Sequence, residues 1–256
     1  ASSLSLMQWQ EIRRRHIAYL PQELDLFPEL SALENIRIKN DLTGYADEAQ
    51  IHSWLERIGL GDRKDFPVGK MSIGQQQRVA LARIMAYEPE AILLDEPFSA
   101  LDAKIRQQMR EELKKIQSDL GITVVFVTHD QEEAMSLSHR IVVMNKGKFE
   151  QIGTPTEIYD KPATRHVASF IGEMNFIGKD NKTIAVRPED VTVSIDGTGD
   201  FTGTVRTIMV LGHYVVVNVQ HGDNVIKCFV DRDISEKLSV GQTVGMHIGK
   251  HTVFDK

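Results

Sequence analysis

Short apolar runs alternate with helical patterns over the first two thirds of the chain, and this alternation restricts the fold more than any other feature. Residues 91–94 and 122–128 are almost continuously apolar, which is typical of strands covered on both faces of a parallel sheet. Residues 47–59, 75–87 and 102–119 have the apolar spacing or the polar-faced composition of helices. The sequence therefore predicts an α/β fold built on a parallel sheet.

Local signals predict where several elements end. Glu88 precedes a proline, and because a residue in that position avoids the α region, the helix at residues 75–87 should stop there. Gly121 is expected to close the next helix. Residues 141–144 have the composition of another buried strand, and residues 145–148 that of the hairpin turn after it.

The pattern changes near residue 175, where helical spacing gives way to short alternating strands separated by glycine and aspartate. The clearest of these strands are residues 184–186, 191–193, 214–219 and 225–230. Several short strands at this spacing predict a small all-β barrel. Residues 155–174 should form the connection, with two helices. We therefore expect two domains, residues 1–174 and 175–256.

Charge and composition argue against several classes of protein. The net charge of −6 is unfavourable for a nucleic-acid surface, which is normally basic, so we expect no nucleic-acid partner. No apolar run approaches the roughly 18 residues that would span a bilayer. A single cysteine, Cys228, excludes an internal disulfide and suits a reducing cytosol.

Two acidic residues directly follow the apolar run at 91–94, at the sheet edge where open parallel sheets bind ligands. Asp95 offers the carboxylate oxygen that Mg²⁺ prefers, either directly or through a water. Glu96 is placed to orient or deprotonate a water that attacks a γ-phosphate. The simpler interpretation is a strand-end turn with solvated acids, which the pair alone does not exclude.

Two further segments have both a functional and a structural interpretation. Ser72 and Gln75 have the spacing of a capping box, and the start of a helix also offers free amides to a phosphate, with Gly74 allowing close approach. His129 follows the run at 122–128 and is a candidate contact for a γ-phosphate. The alternatives are a well-capped helix and an ordinary polar residue at a strand end.

Taken in order, these segments resemble the ATP-binding subunits of ABC transporters over about residues 17–177. The matching parts are Gln22 with the Q-loop glutamine, 71–75 with the signature motif, 92–96 with Walker B, 99–102 with the D-loop, and His129 with the switch histidine. The run at 125–134 narrows the resemblance to importer ATPases for polyamines, iron, sulfate and sugars. Segments 170–175 and 186–190 look most like the spermidine/putrescine importers, whose small C-terminal barrel is called the TOBE domain.

The resemblance implies a P-loop NTPase-like sheet with a helical subdomain at about residues 23–70, and a head-to-tail dimer that encloses two ATP molecules. It implies that Glu96 and His129 are catalytic. The residues it assigns to ATP and its Mg²⁺ are Gln22, Ser72, Gly74, Gln75, Asp95 and Asp102. Of these, Gln22 and Asp95 are the implied metal-binding residues.

The resemblance also implies the partners and the location. The expected partners are a second ATP-binding subunit, transmembrane permease subunits and, indirectly, an extracytoplasmic substrate-binding protein. The expected location is the cytoplasmic face of the cell membrane, as a peripheral protein. Leu24, Leu26 and Phe27 lie beside Gln22, and they are candidates either for contact with the permease or for local packing.

Two departures from the family pattern affect the expected activity. No G-x-x-x-x-G-K-[ST] phosphate-binding loop (Walker A) occurs in the sequence. We therefore expect an N-terminally truncated chain that does not bind ATP alone; Ala1 as first residue agrees with this. Ile73 stands where the family has glycine, which is tolerable in a right-handed α backbone but costly if φ is positive or if the phosphate comes close.

Two alternatives to an importer ATPase fragment follow from the same residues. One is a complete but catalytically degenerate subunit that donates Ser72, Gly74 and Gln75 to a partner's ATP site. The other is half of a chromosome-maintenance ATPase, which the absence of a long heptad segment disfavours.

Overall fold

A computed structural model describes residues 5–43, 47–86, 89–99, 101–179, 181–212 and 214–255. The chain divides into two compact units, Ala1–Glu133 and Ala134–Lys256. These are the first and the second unit. Among the described residues, no helix is both long and apolar enough to cross a membrane.

The first unit is built on a parallel sheet of three strands, β1 (Ile17–Leu20), β2 (Ala91–Asp95) and β3 (Thr123–Val127). The strands lie in the order β1-β2-β3, so β2 is central. The parallel sheet that the sequence predicts is thus confirmed, and the predicted strands at 91–94 and 122–128 are β2 and β3.

The first unit also contains five helices, and capping residues mark several of their ends. They are α1 (Leu6–Arg15), α2 (Ala32–Thr43), α3 (Glu48–Arg57), α4 (Ile73–Met85) and α5 (Ala103–Leu120). Ser5, Asp47 and Ser72 each form a capping box at the start of α1, α3 and α4. Gly121 ends α5 with a left-handed φ of 63°, as expected for a C-terminal glycine.

The predicted helices at 47–59, 75–87 and 102–119 correspond to α3, α4 and α5. Their observed bounds differ from the predicted ones by no more than two residues where the ends are described. Tyr87 and Glu88, where the sequence predicts the end of α4, lie outside the described residues, as does the start of the chain at Ala1. The short 3₁₀ turns Gly61–Arg63 and Val68–Lys70 connect α3 to α4.

The expectation that the strands are covered on both faces is wrong within the described residues. Ala18, Ile92 and Leu94 are buried on one face of the sheet. On the other face the register aligns Tyr19, Leu93 and Val125, whose exposures are 53%, 38% and 51%. We call these three side chains the exposed row. The described helices therefore supply a covering layer to one face of the sheet only.

The second unit begins with a hairpin and short helices around a small apolar cluster. The hairpin consists of β4 (Ile141–Asn145) and β5 (Lys148–Gly153), and the helices are α6 (Gln131–Leu137), which contains the boundary between the units, α7 (Pro155–Asp160) and α8 (Arg165–Phe170). The predicted turn at 145–148 and the two helices within 155–174 are confirmed. The strand at 141–144 is also confirmed, but it is not fully buried, because Val142 and Met144 are about half-exposed.

The rest of the second unit consists of two antiparallel sheets, whose eight strands we call the barrel. One sheet has the order β11-β10-β9-β12-β8 and the other β13-β7-β6. The strands are β6 (Asn175–Lys179), β7 (Lys182–Val186), β8 (Val191–Ser194), β9 (Phe201–Leu211), β10 (Tyr214–His221), β11 (Asn224–Val230), β12 (Thr243–Ile248) and β13 (His251–Asp255). A short helix, α9 (Arg232–Ser235), joins β11 to β12.

Both sheets of the barrel contribute to one hydrophobic core. Ile177 and Val186 of the smaller sheet share a cluster with Val217, Ile226 and Met246 of the larger one. The predicted β-rich C-terminal part is confirmed, and its four clearest strands are β7, β8, β10 and β11. The predicted domain limits at residues 174 and 175 stay a prediction.

Candidate functional site

Four of the candidate residues lie at one edge of the first unit's sheet. Asp95 is the last residue of β2, and Glu96 follows it. Gln22 and His129 each lie two residues beyond the end of a strand, β1 and β3. The backbone amide of Glu96 donates to the carbonyl of Val127 at 2.9 Å. Because carboxyl ends of parallel strands share an edge, these side chains meet there.

Glu96 is the centre of this group. Its Oε1 lies 3.2 Å from Nε2 of His129, and its Oε2 accepts a hydrogen bond of 3.3 Å from Nε2 of Gln22. The same amide nitrogen of Gln22 lies 3.2 Å from Oγ of Ser99. The Glu96 side chain is 26% exposed and that of His129 is 84% exposed. The carboxylate thus lies between the Gln22 amide and the His129 ring, while the histidine faces solvent.

The backbone of Glu96 is in the left-handed region, with a φ of 45°. A non-glycine residue adopts this conformation at a cost of about 1–3 kcal/mol, and such residues are concentrated at functional sites. Three hydrogen bonds hold the conformation. The amide donates to Val127, and the carbonyl accepts from the backbone amide of Ser99 at 3.2 Å and from its Oγ at 3.0 Å. The left-handed backbone therefore sets the direction in which the Glu96 side chain leaves the chain, and the contacts with Gln22 and His129 hold its carboxylate.

Asp95 and Gln22 provide the oxygen donors that a hard cation needs. Asp95 Oδ2 accepts a hydrogen bond of 3.4 Å from the hydroxyl of Tyr19, and desolvation together with this carboxylate raises the pKa of Tyr19. Because Gln22 uses its nitrogen in both bonds above, its amide oxygen is the atom that would face a metal. No group of three or more His, Cys, Asp or Glu side chains forms a metal site in the described part of the chain. Mg²⁺ commonly takes few protein ligands together with water and phosphate, so this pair fits it.

Ser72 and Gln75 form the predicted capping box at the start of α4. Ser72 Oγ accepts from the amide of Gln75 at 3.4 Å, and Gln75 Oε1 accepts from the amide of Ser72 at 3.0 Å. Each of these two side chains accepts from the backbone amide of the other residue, and among the described residues no hydrogen bond joins them to the strand-end group. The structure therefore forms two separate sets of candidate residues in one unit.

Gly74 and Ile73 have clear packing roles at the same helix start. A Cβ at Gly74 would lie 2.7 Å from Cγ2 of Ile105 on α5, so glycine lets α4 approach α5 closely. Ile73 is the first residue of α4 and is 52% exposed, and it is not among the residues with positive φ. A β-branched side chain is tolerated in that right-handed backbone.

Asp102 is the N-cap of α5. Its Oδ1 accepts from the amides of Lys104 at 3.1 Å and Ile105 at 3.0 Å. Asp102 therefore has a structural role as a helix cap, and any contact with nucleotide would be additional to it. Ala100 of this segment lies outside the described residues.

Sequence reasoning did not single out a charged network next to His129. It consists of Arg106 and Arg110 of α5 together with Asp130 and Glu133. The only signal in the sequence was a pair of arginines four residues apart on a helix, which face one direction. Their acidic partners could not be identified without the fold.

Comparisons with known proteins agree with both units. The chain matches the ABC transporter family over residues 2–99 and the TOBE domain family over residues 184–254. It is 40% identical over 271 residues to the spermidine/putrescine import ATP-binding protein PotA of Thermobifida fusca (strain YX), an alignment that covers 90% of this chain and 71% of that protein. The protein of the same name from Bacillus cereus (strain ATCC 14579) is 42% identical over 234 residues, which cover 90% of this chain and 69% of the relative. That of Spiroplasma citri is 38% identical, with 85% and 69% covered.

Proposed function

Because this chain belongs to the ATP-binding subunits of ABC transporters, we propose that it supplies the ATP-hydrolysing site that drives polyamine import across a membrane. The polyamine assignment is supported by its relatives, which are spermidine/putrescine import ATP-binding proteins. The hydrolytic assignment is supported by one observation above all, the contact of Glu96 with both Gln22 and His129 at the carboxyl edge of the sheet.

Glu96 acts on the water that attacks the γ-phosphate. Its carboxylate is directed by a strained backbone and by the Gln22 amide, so it can orient the water or accept its proton. His129 lies within hydrogen-bond distance of Glu96 and is exposed, which leaves it able to contact a phosphate oxygen. These two residues are the catalytic pair of the proposal.

Asp95 and Gln22 hold the metal side of the site. Mg²⁺, when bound with the nucleotide, neutralises charge on the phosphate oxygens. Asp95 presents a carboxylate at the end of β2, and Gln22 presents an amide oxygen from beyond β1. The hydrogen bond from Tyr19 orients the Asp95 carboxylate.

The start of α4 serves the nucleotide of a second subunit. Ser72, Gly74 and Gln75 bond among themselves or pack on α5, and the helix start offers amides to a phosphate. Asp102 belongs to the same proposed contact between subunits.

The partners in this proposal are a second ATP-binding subunit and the permease subunits, with the binding protein as an indirect partner. The location is the cytoplasmic face of the membrane, the helical subdomain is residues 23–70, and the TOBE domain is 175–256.

A second candidate function is that of a catalytically degenerate subunit. The 256 residues contain no glycine-rich loop with a lysine that would cradle the β- and γ-phosphates. The chain would then lend its α4 start to a partner's nucleotide while Asp95 and Glu96 do no chemistry. Under both candidates we expect this chain alone to show no ATP binding at micromolar nucleotide by equilibrium titration. Clear binding would contradict that expectation.

Uptake of labelled spermidine separates the two candidates. In cells that carry the transporter with this subunit, Glu96→Gln should abolish uptake and ATP turnover while leaving subunit assembly unchanged, because the amide cannot accept a proton. The matched control is Glu236→Gln, the same change at an exposed residue after α9, and it should leave uptake unchanged. Normal uptake with Glu96→Gln would favour the non-catalytic candidate.

A further inference from the structure

The turn that contains His129 is held by the acidic residue next to it. Asp130 Oδ2 accepts from Arg106 at 3.2 Å and from Arg110 at 2.9 Å. Its Oδ1 accepts from the amide of Glu133 at 3.1 Å, and its own amide donates to Oγ1 of Thr128 at 2.9 Å. Asp130 is therefore fixed through both carboxylate oxygens and its backbone. The amide of Asp130 belongs to the peptide group that follows His129, so its bond to Thr128 restrains the carbonyl end of His129.

Arg106 has a second contact that distinguishes it from Arg110. Its other terminal nitrogen donates to the carbonyl of Leu101 at 2.9 Å, the residue before the helix cap Asp102. One planar guanidinium thus joins the turn before α5 to the turn that contains His129. A guanidinium donates in fixed directions, so a shift of either turn would move the other or break a bond.

Arg110 has partners that Arg106 lacks, and one of them is buried. Its guanidinium pairs with Asp130 and also with Glu133, which is 3% exposed, and with the exposed Glu132. Oε2 of Glu133 accepts in addition from Oγ1 of Thr128 at 2.6 Å. The Arg110 side chain is 15% exposed, against 30% for Arg106. Arg110 therefore stabilises the buried part of the network, and Arg106 connects its two turns.

We propose that Arg106 is a positioning residue, which sets His129 against Glu96 through Asp130 and makes that contact depend on the turn before α5. This inference rests on the proposed catalytic roles of Glu96 and His129. The reason that a remote residue has such influence is the exposure of His129. At 84% exposed, its ring depends on the backbone of residues 128–130 for its position.

The test uses nuclear magnetic resonance on the full chain with labelled histidine rings and no nucleotide. The His129 signal is identified by its loss in His129→Ala. In the parent protein we expect Glu96→Gln to shift the His129 ring signal, because the two side chains touch. In the Arg106→Ala background that response should be lost. A response of the parent's size in folded Arg106→Ala would overturn the proposal.

Two further variants make the test independent of simple destabilisation. Arg106→Lys keeps the charge but cannot donate in two fixed directions, so we expect the same loss of response; a full response would overturn the bridging role. Arg57→Ala removes an arginine of an exposed pair with Asp119 and should leave the response unchanged. Because the measurement needs no ATP, it can fail while the catalytic role of Glu96 holds. Equally, a negative transport assay leaves the result of the nuclear magnetic resonance measurement valid.

Discussion

The sheet of the first unit and the barrel of the second are both built from apolar strands, but they bury those strands differently. In β10 of the barrel, Val215, Val217 and Val219 are fully buried in a core to which both of its sheets contribute. In the parallel sheet of the first unit, the exposed row leaves an apolar face partly in contact with solvent. The barrel thus buries its hydrophobic side chains in its own core, whereas the described part of the first unit covers only one face of its sheet.

The two units therefore differ in how their strands are buried, and the candidate site lies in the unit whose sheet is less covered. Barrel stability is expected to come from long-range packing of side chains that contribute about 25 cal/mol per Å² of buried apolar surface. The first unit buries its own hydrophobic residues, such as Ile51 and Ile92, and it also contains the helix cap at Ser72 and the charged network around Asp130. The candidate site lies at the edge of the less covered sheet, so changes in the two units should affect stability and function unequally.

Replacing Ile226 by alanine should give the largest loss of stability. Ile226 is 1% exposed in the barrel core, and such a truncation leaves a cavity that costs about 2–5 kcal/mol. The matched variant Leu93→Ala in the exposed row should cost at most about 1 kcal/mol, because Leu93 is already partly solvated. Denaturant unfolding can follow each unit separately, with Trp9 and Trp54 fluorescence for the first unit and thiol reactivity of Cys228 for the second. Equal losses would remove the contrast between the two sheets.

Alkaline pH should destabilise the barrel through Cys228. Burial raises the pKa of this thiol to about 12 in the native state, whereas an unfolded cysteine has a pKa near 8.5. Above that value the unfolded state releases a proton that the native state retains, so stability falls as pH rises from about 8.5 towards 12. At about pH 10 the loss relative to neutral pH is about 2 kcal/mol.

The control for this pH effect is Cys228→Val, which keeps an apolar side chain of similar size and has no titrating group. Between neutral pH and about pH 10 the variant should lose less stability than the parent by that same amount. Unfolding would be followed by circular dichroism, since the variant has no thiol. If the free energy of unfolding falls equally with pH in the two proteins, Cys228 is not buried in the native core.

Removing the cap of α4 should have a smaller effect, and in the first unit. Ser72→Ala deletes the side chain that accepts from the amide of Gln75, and loss of such a cap costs about 1 kcal/mol. Fluorescence-detected unfolding of the first unit measures it. Ser53→Ala, a change within α3 at an exposed position, should not destabilise the unit. A loss of stability as large as that of Ile226→Ala would show that helix capping contributes more to the stability of the first unit than we infer.

The sequence predicts best those features that depend on neighbours along the chain. The capping box of Ser72 and Gln75, the left-handed end of α5 at Gly121 and the hairpin turn at 145–148 all have local signals, and all are present. The edge of the sheet where Asp95 and Glu96 lie follows from strand direction alone. These features can be predicted from the sequence alone.

Features that depend on distant residues could not be predicted. An apolar run such as 91–94 has the same composition whether one face or both faces are covered, so the exposure of Leu93 was not foreseeable. Strand β12 contains Gly245, which is needed because Thr198 backbone atoms approach too closely for a Cβ, and this glycine interrupts the alternating pattern. The contact of Arg106 with Asp130 joins residues 24 positions apart. Each of these requires the tertiary structure.

The smallest expected effect tests the comparison most directly, because it makes the same substitution in both sheets. Val127→Thr replaces a side chain that is 58% exposed at the end of β3 and keeps its branched shape, so we expect a change within about 0.5 kcal/mol. Val217→Thr places a hydroxyl in the barrel core, where Val217 is fully buried, and should cost about 1–3 kcal/mol. Both are measured by denaturant unfolding of the same protein. A cost at Val127 equal to that at Val217 would mean that the uncovered face of the first sheet is buried in solution.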